Sequence, residues 1–212
     1  MRDFPIFTTE YGVSSLILKE IPYKKEAYIR IRDVQEGFFR EHLDECASFC
    51  RMAGADRVLA TGHEKLEGDP LYAAIYEMRG TAWVDREKLA HLFPVTEQTV
   101  GRWRSICNER MRHVPCAATQ TSKEEADILK GDAYFVHRDG DLLGIGWLRE
   151  GELLAVAAGK PGAGETVMHT LMSTIEGSTM TLEVASTNEK AIRLYEKLGF
   201  LKTAVKTRWY QL

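Results

Sequence analysis

The sequence predicts an α/β (α+β) fold, a mixed central sheet flanked by helices and preceded by a smaller αβ domain. Three stretches carry that expectation. Residues 181–200 (TLEVASTNEKAIRLYEKLGF) read as strand, turn and capped helix; residues 132–157 read as three successive strands joined by tight turns; residues 159–166 (GKPGAGET) join an apolar strand to a helix.

From the N-terminus, residues 12–20 (GVSSLILKE) and 27–32 (AYIRIR) predict two strands around the turn-like Pro22-Tyr23-Lys24-Lys25, a hairpin being the simplest connection. Residues 35–53 set Phe38, Phe39, Leu43, Cys46, Ala47, Phe49 and Cys50 at helical spacing, with Gly54 as the stop. Two more strands are expected at 57–61 (RVLAT) and 71–78, separated by the polar, turn-rich GHEKLEGDP at 62–70. Residues 85–91 suggest a short helix halted by Leu92-Phe93-Pro94, and a boundary there gives domains of residues 1–93 and 94–212.

In the second half, Trp103, Ile106, Cys107 and Met111 predict a helix over 97–112, and Thr121 or Ser122 caps a shorter one over 123–130 with Glu124 and Glu125 in its first turn. A strand at 132–138, the tight turn Asp139-Gly140-Asp141 and its partner at 142–149 make a hairpin. Glu150-Gly151 then turns the chain into a third strand, 152–157 (ELLAVA), apolar enough to sit centrally. A helix bearing Val167, Met168, Leu171, Met172 and Ile175 follows the glycine loop, and residues 203–212 with Trp209 and Tyr210 supply the closing strands.

Within 181–200, Leu182 and Val184 occupy one strand face while Thr181, Glu183 and Ala185 occupy the other. Ser186 and Glu189 have capping-box spacing, and Gly199 ends a helix of about 188–198. Asn188 and Tyr195 lie seven apart and share a stripe with Ala191 and Ile192 between them. If Ser186 is the cap, the Asn188 amide is released to meet a ligand; if Asn188 is the cap, it is structural. A tyrosine on such an apolar stripe is by default a core residue with a satisfied hydroxyl. The order Asn188, Ala191, Tyr195, Gly199, Phe200 resembles the last strand–helix segment of the Gcn5-related N-acetyltransferase (GNAT) superfamily, which transfers an acyl group from coenzyme A to an amine. The succession of elements over residues 95–212 is similar to that superfamily as well. The hairpin, strand, helix and strand of residues 1–93 resemble half of such a domain, a degenerate repeat without a glycine-rich turn.

A strand, a glycine loop and a helix form a phosphate-binding arrangement. The amides of Gly162, Ala163, Gly164, Glu165 and Thr166 can converge on a pyrophosphate at the helix start, and Lys160 can add a charge. The loop is neither a Walker sequence, which needs Gly-Lys-Ser/Thr, nor a dinucleotide fingerprint. It is similar in position to the superfamily's pyrophosphate loop, except that Gly159 stands where the family usually has Arg or Gln. The resemblance therefore implies acetyl-CoA as co-substrate, held by these residues together with Val156, Ala157, Asn188, Ala191 and Tyr195. It also implies direct attack of a primary amine on the thioester, with Tyr195 as the acid and the amide of Val156 or Ala157 polarising the thioester oxygen. For the base, Glu152 is the first candidate, followed by Glu183 and His137, with a water chain as the alternative. A competing class is a non-catalytic acyl-CoA-binding regulatory module, motivated by Gly159 and by the undecided base. A third reading, a binder of another phosphate ligand, predicts ATP or NAD binding.

Composition bounds the rest. The 212 residues are 44% hydrophobic and 28% charged, ordinary for a folded chain with a substantial core. A net charge of −3 argues against nucleic acid or anionic lipid as the main partner. No apolar run approaches a membrane span and the start MRDFPIF lacks a signal's apolar core, so a cytoplasmic location is expected. Cys46, Cys50, Cys107 and Cys116 read as reduced thiols. His42, Cys46 and Cys50 could line one helix face, but burial is the ordinary fate of free cysteine and no metal is expected. The expected partner is a small-molecule or peptide amine, bound by a monomer or homodimer.

Overall fold

The structure is a computed structural model that describes residues 5–212; the opening MRDF, read above for its lack of an apolar core, lies outside the described residues. The chain divides into two compact units, one made of residues up to Ala74 with Thr207–Leu212, the other of Ile75–Lys206.

In the first unit, β1 (Ile6–Thr8), β2 (Gly12–Ile17), β3 (Glu26–Val34) and β4 (Arg57–Thr61) lie side by side in that order. The expected hairpin forms between β2 and β3, with Ile17 opposite Tyr28, although the connection is a helical turn, α1 (Ile21–Lys24), with Pro22 in its first turn. The helix α2 (Phe39–Met52) crosses over to make β3 and β4 parallel. Its apolar stripe, Phe39, Leu43, Cys46, Ala47 and Cys50, packs with Leu16, Ile29 and Val58 in one core. The last residues of β11 (Leu201–Gln211) border β4, with Tyr210 opposite Ala60. His42 is fully buried, its ring nitrogens occupied by the hydroxyls of Thr9 (2.7 Å) and Ser14 (2.8 Å). Burial lowers its pKa and pushes the Cys50 thiol up to about 12, so this stripe is packing. No group of three potential metal ligands occurs among the described residues.

The second unit has the strand order β11, β5 (Leu71–Thr81), β10 (Thr179–Ala185), β9 (Glu152–Ala158), β8 (Asp141–Arg149), β7 (Asp132–Arg138) and β6 (His91–Pro94). Residues 85–91 form only a 3-10 turn at Arg86–Lys88, and Leu92-Phe93-Pro94 is a strand rather than a stop, with Phe93 opposite Phe135. Proline is tolerated because β6 ends the strand order, where a missing N–H costs no ladder bond. The closing strands are one strand, β11.

Helices cover the sheet of this unit. From α5 (Gly164–Met172) and α6 (Glu189–Lys197), Met168, Leu171, Met172 and Tyr195 pack with Leu182, Val184 and Phe200. Gly146 makes the bed for α5, since a Cβ there would stand 2.2 Å from Leu171 Cδ1. From α3 (Val100–Met111) and α4 (Glu125–Lys130), Trp103, Cys107 and Ile128 pack with Ile145, Trp147 and Ala157. Ile145 and Trp147 alternate with Gly146 along β8, which places α3 and α4 on the face opposite α5.

Candidate active site

The site is built where two parallel strands part. β9 and β10 pair only at Glu152–Thr181 and Leu153–Leu182; beyond that register the strands have no mutual ladder, leaving a wedge beside residues 154–158. Backbone direction decides which groups face it. Gly159 N–H donates to the Leu143 carbonyl at 2.6 Å, and antiparallel pairing sets Ala157 opposite Ile145 and Ala155 opposite Trp147. Amides alternate sides along a strand, so those of Ala157 and Ala155 face β8 and those of Val156 and Ala158 face the wedge. Of the two candidate amides, Val156 is the one directed at this space.

At the end of the wedge the chain turns through Gly162 (φ +81°) into α5. The first helical donor to find a backbone acceptor is Val167, whose N–H bonds the Ala163 carbonyl at 2.9 Å. The amides of Gly164, Glu165 and Thr166 make no hydrogen bond among the described residues and extend from the positive end of the helix dipole. Lys160 is not a free charge: its Nζ bonds Asp141 Oδ2 at 2.7 Å. The Glu165 side chain is likewise committed, to Lys197 at 2.6 Å and to Lys88, leaving only its amide to a ligand.

Those bonds, Lys197 first and then Lys88, hold the Glu165 carboxyl down at about 2. A carboxyl depressed in the folded state contributes stability above its unfolded pKa and loses it as pH falls toward the folded value. Glu165→Gln should therefore cost on the order of 1 kcal/mol at pH 7 after solvent screening, with the two proteins converging between about pH 5 and pH 2. Urea denaturation at pH 7 and pH 3 checks this; an equal gap at both pH values would contradict it.

The capping alternatives resolve in favour of Asn188, whose side-chain oxygen accepts from Ala191 N–H at 3.4 Å as the N-cap of α6. Its amide is thereby tied to the helix start rather than released by Ser186. Tyr195 is buried at 7% exposure, facing Phe200 at 6.2 Å between ring centroids, and burial alone pushes its phenol up to about 12. Its hydroxyl has no hydrogen-bond partner among the described residues, unlike the satisfied core tyrosine that sequence alone suggests.

Glu152 lies opposite Thr181, and Glu183 lies opposite Glu77 on β5, so the three carboxylates share the sheet face of α3 and α4. Desolvation raises the Glu183 pKa; Lys206 opposes the rise, while Glu152 and Glu77 add to it. Glu183 still keeps an exposed surface, so its carboxyl is crowded by protein and accessible at once. Glu77 is pulled down, chiefly by the Thr203 hydroxyl and Lys206. His137 is not brought to the wedge: it sits on β7 opposite His91, two strands from β9.

Sequence reasoning missed Arg110. From the last turn of α3 its Nη2 donates to the Gly159 carbonyl at 2.7 Å. Gly159 itself has no room for a side chain, since a Cβ would stand 2.9 Å from the Leu142 carbonyl oxygen and 3.2 Å from that of Leu143.

The family described as FR47-like protein matches residues 158–210. No curated protein matches the sequence. Among solved structures, a GCN5-related N-acetyltransferase from Anabaena variabilis aligns with a TM-score of 0.61 at 8% identity, over 95% of this chain and 59% of that one. A functionally unknown conserved protein from Staphylococcus epidermidis gives 0.60 at 8% identity over 99% and 93%. A GCN5-related N-acetyltransferase from Sphaerobacter thermophilus gives 0.51 at 13% identity over 94% and 75%. The fold is that of the Gcn5-related N-acetyltransferases, and the FR47-like match falls on the segment that carries the glycine loop, Asn188 and Tyr195.

Proposed function

We propose that the protein is an acetyl-CoA-dependent N-acetyltransferase acting on a primary amine by direct attack on the thioester. The observation that carries this reading is the parting of β9 from β10 directly ahead of a glycine loop and the open amides of α5. A thioester chain can lie along the free edge of β9 while its diphosphate meets the amides of Gly164, Glu165 and Thr166. The donor supplies an activated acyl group; the protein supplies position and proton traffic.

An alkyl ammonium with pKa near 10.4 is neutral in only about one part in a few thousand at pH 7, so a base must take its proton. Glu183, with its raised pKa and open surface, suits that role, and Glu152 beside it keeps the base position within one acidic row. The Val156 amide polarises the thioester oxygen, and Tyr195 donates toward the departing sulfur. Asn188 and Ala191 fix the start of the helix that carries Tyr195. The parallel pair β3 and β4 with α2 as crossover repeats the pattern of β9, α5 and β10, which supports reading the N-terminal half as a degenerate acetyltransferase-like repeat.

A second reading, an acyl-CoA-binding regulatory module, is favoured by one observation: a phenol at about 12 is a reluctant proton donor. Isothermal calorimetry with acetyl-CoA, using coenzyme A and ATP as controls, followed by an amine screen for thiol release, separates the readings. Micromolar acetyl-CoA binding with turnover supports the transferase and binding without turnover supports the module. ATP binding without acetyl-CoA binding sinks both.

A further inference from the structure

We infer that Arg110, on α3, supplies the cation that holds the diphosphate of the acyl donor, and that the loop's own Lys160 does not; this rests on the transferase reading of the site. Among the described residues, four side-chain cations bond to the stretch from Gly159 to Thr166 or belong to it. Lys160 is neutralised by Asp141 at 2.7 Å, and Lys88 and Lys197 are both engaged by Glu165. Arg110 differs: its one bond there is to a neutral acceptor, the Gly159 carbonyl at 2.7 Å, and no carboxylate pairs with it among the described residues.

A guanidinium has five donors in a fixed fork, and one bond to a carbonyl leaves most of them available. That bond orients the group at the loop entrance, at the residue that opens the segment leading to the amides of Gly164, Glu165 and Thr166. Position 159 itself cannot carry a cationic side chain, because a Cβ there stands 2.9 Å from the Leu142 carbonyl oxygen. Arg110 is solvent-exposed, so an incoming diphosphate meets it without first breaking an ion pair. The same residue ties α3, which lies on the face of the acidic row, to the loop on which the donor is held.

The test uses the full chain and three variants, with folding checked by thermal melting. Acetyl-CoA affinity is measured by calorimetry, and turnover is measured with both acetyl-CoA and S-acetylpantetheine, which lacks the diphosphate. Arg110→Ala should weaken acetyl-CoA binding about 10- to 30-fold and leave kcat/KM for S-acetylpantetheine within twofold. Arg110→Gln keeps a donor for the Gly159 carbonyl but no charge, and should be as weak as the alanine variant; Lys160→Ala should change affinity less than twofold. Recovery of affinity in Arg110→Gln, or equal loss with both donors, would overturn the inference and leave Arg110 as a brace of the loop. Failure of the unaltered protein to bind acetyl-CoA would instead remove the transferase reading itself, and this inference with it.

Discussion

Tyr195→Phe is expected to lower kcat about 100-fold while leaving the acetyl-CoA dissociation constant within twofold. The phenol is buried and its hydroxyl bonds nothing among the described residues, so the substitution removes one oxygen without breaking a structural hydrogen bond. Burial has pushed the phenol up to about 12, whereas an ordinary thiol titrates near 8.5, so complete proton transfer to a free thiolate is uphill by the difference, about 3.5 on the pH scale. Desolvation raises a thiol in the same direction as a phenol, and a thiolate departing into the same buried space becomes a stronger base than it is in water. In the proposed mechanism the phenol would therefore act by donating a hydrogen bond that strengthens as charge collects on sulfur. The pH profile carries the sign: a donor at about 12 stays protonated through pH 10, so the rate should rise as the amine loses its proton and show no descending limb below pH 10. Steady-state kinetics from pH 6 to 10 together with calorimetry measure both quantities. Unchanged kcat in Tyr195→Phe would remove the acid role, and a descending limb near pH 8 would assign the donor to another group.

The parts of the site that were legible in the sequence are those whose signals are local. The helix α6 announces itself through polar caps, an apolar stripe and a terminal glycine, and β9, the glycine loop and α5 through alternation followed by helical spacing. Local signals also mislead where two residues qualify equally. Ser186 and Asn188 both suit an N-cap, and only the φ and ψ adopted at Asn188 decide between them. The strand β6 was hidden because Leu92-Phe93-Pro94 reads as a stop, and proline excludes a strand only where its missing N–H is needed. Arg110 was illegible for a different reason. It lies 49 positions from Gly159, in a helix with other arginines at 102 and 104, and nothing in the spacing selects the one that meets the loop. The wedge is equally non-local, because it is a difference in register between two strands separated by a helix.

Phe200→Ala should destabilise the protein by about 3–5 kcal/mol, the cost of emptying a fully buried aromatic site. The position is also the end of a cap. Gly199, at φ +85°, ends α6; its N–H bonds the Glu196 carbonyl at 3.0 Å and the Phe200 N–H bonds the Tyr195 carbonyl at 2.9 Å, a Schellman arrangement. The apolar contact that accompanies such a cap is here between Phe200 and Tyr195, so the residue that closes the helix also fixes the ring proposed to serve the sulfur. On its other side Phe200 uses the absence of a side chain at Gly80, where a Cβ would approach its Cγ to 3.0 Å. Removing the ring therefore frees Tyr195 to move as well as leaving a cavity, and kcat should fall in a protein that is still folded. Phe200→Leu, which refills much of the volume, should recover more than half of the lost stability. Urea denaturation and turnover of the two variants, read side by side, test both halves of the claim. A stability loss below 1 kcal/mol in Phe200→Ala would contradict the packing, and full activity in the folded alanine variant would show that Tyr195 is positioned without it.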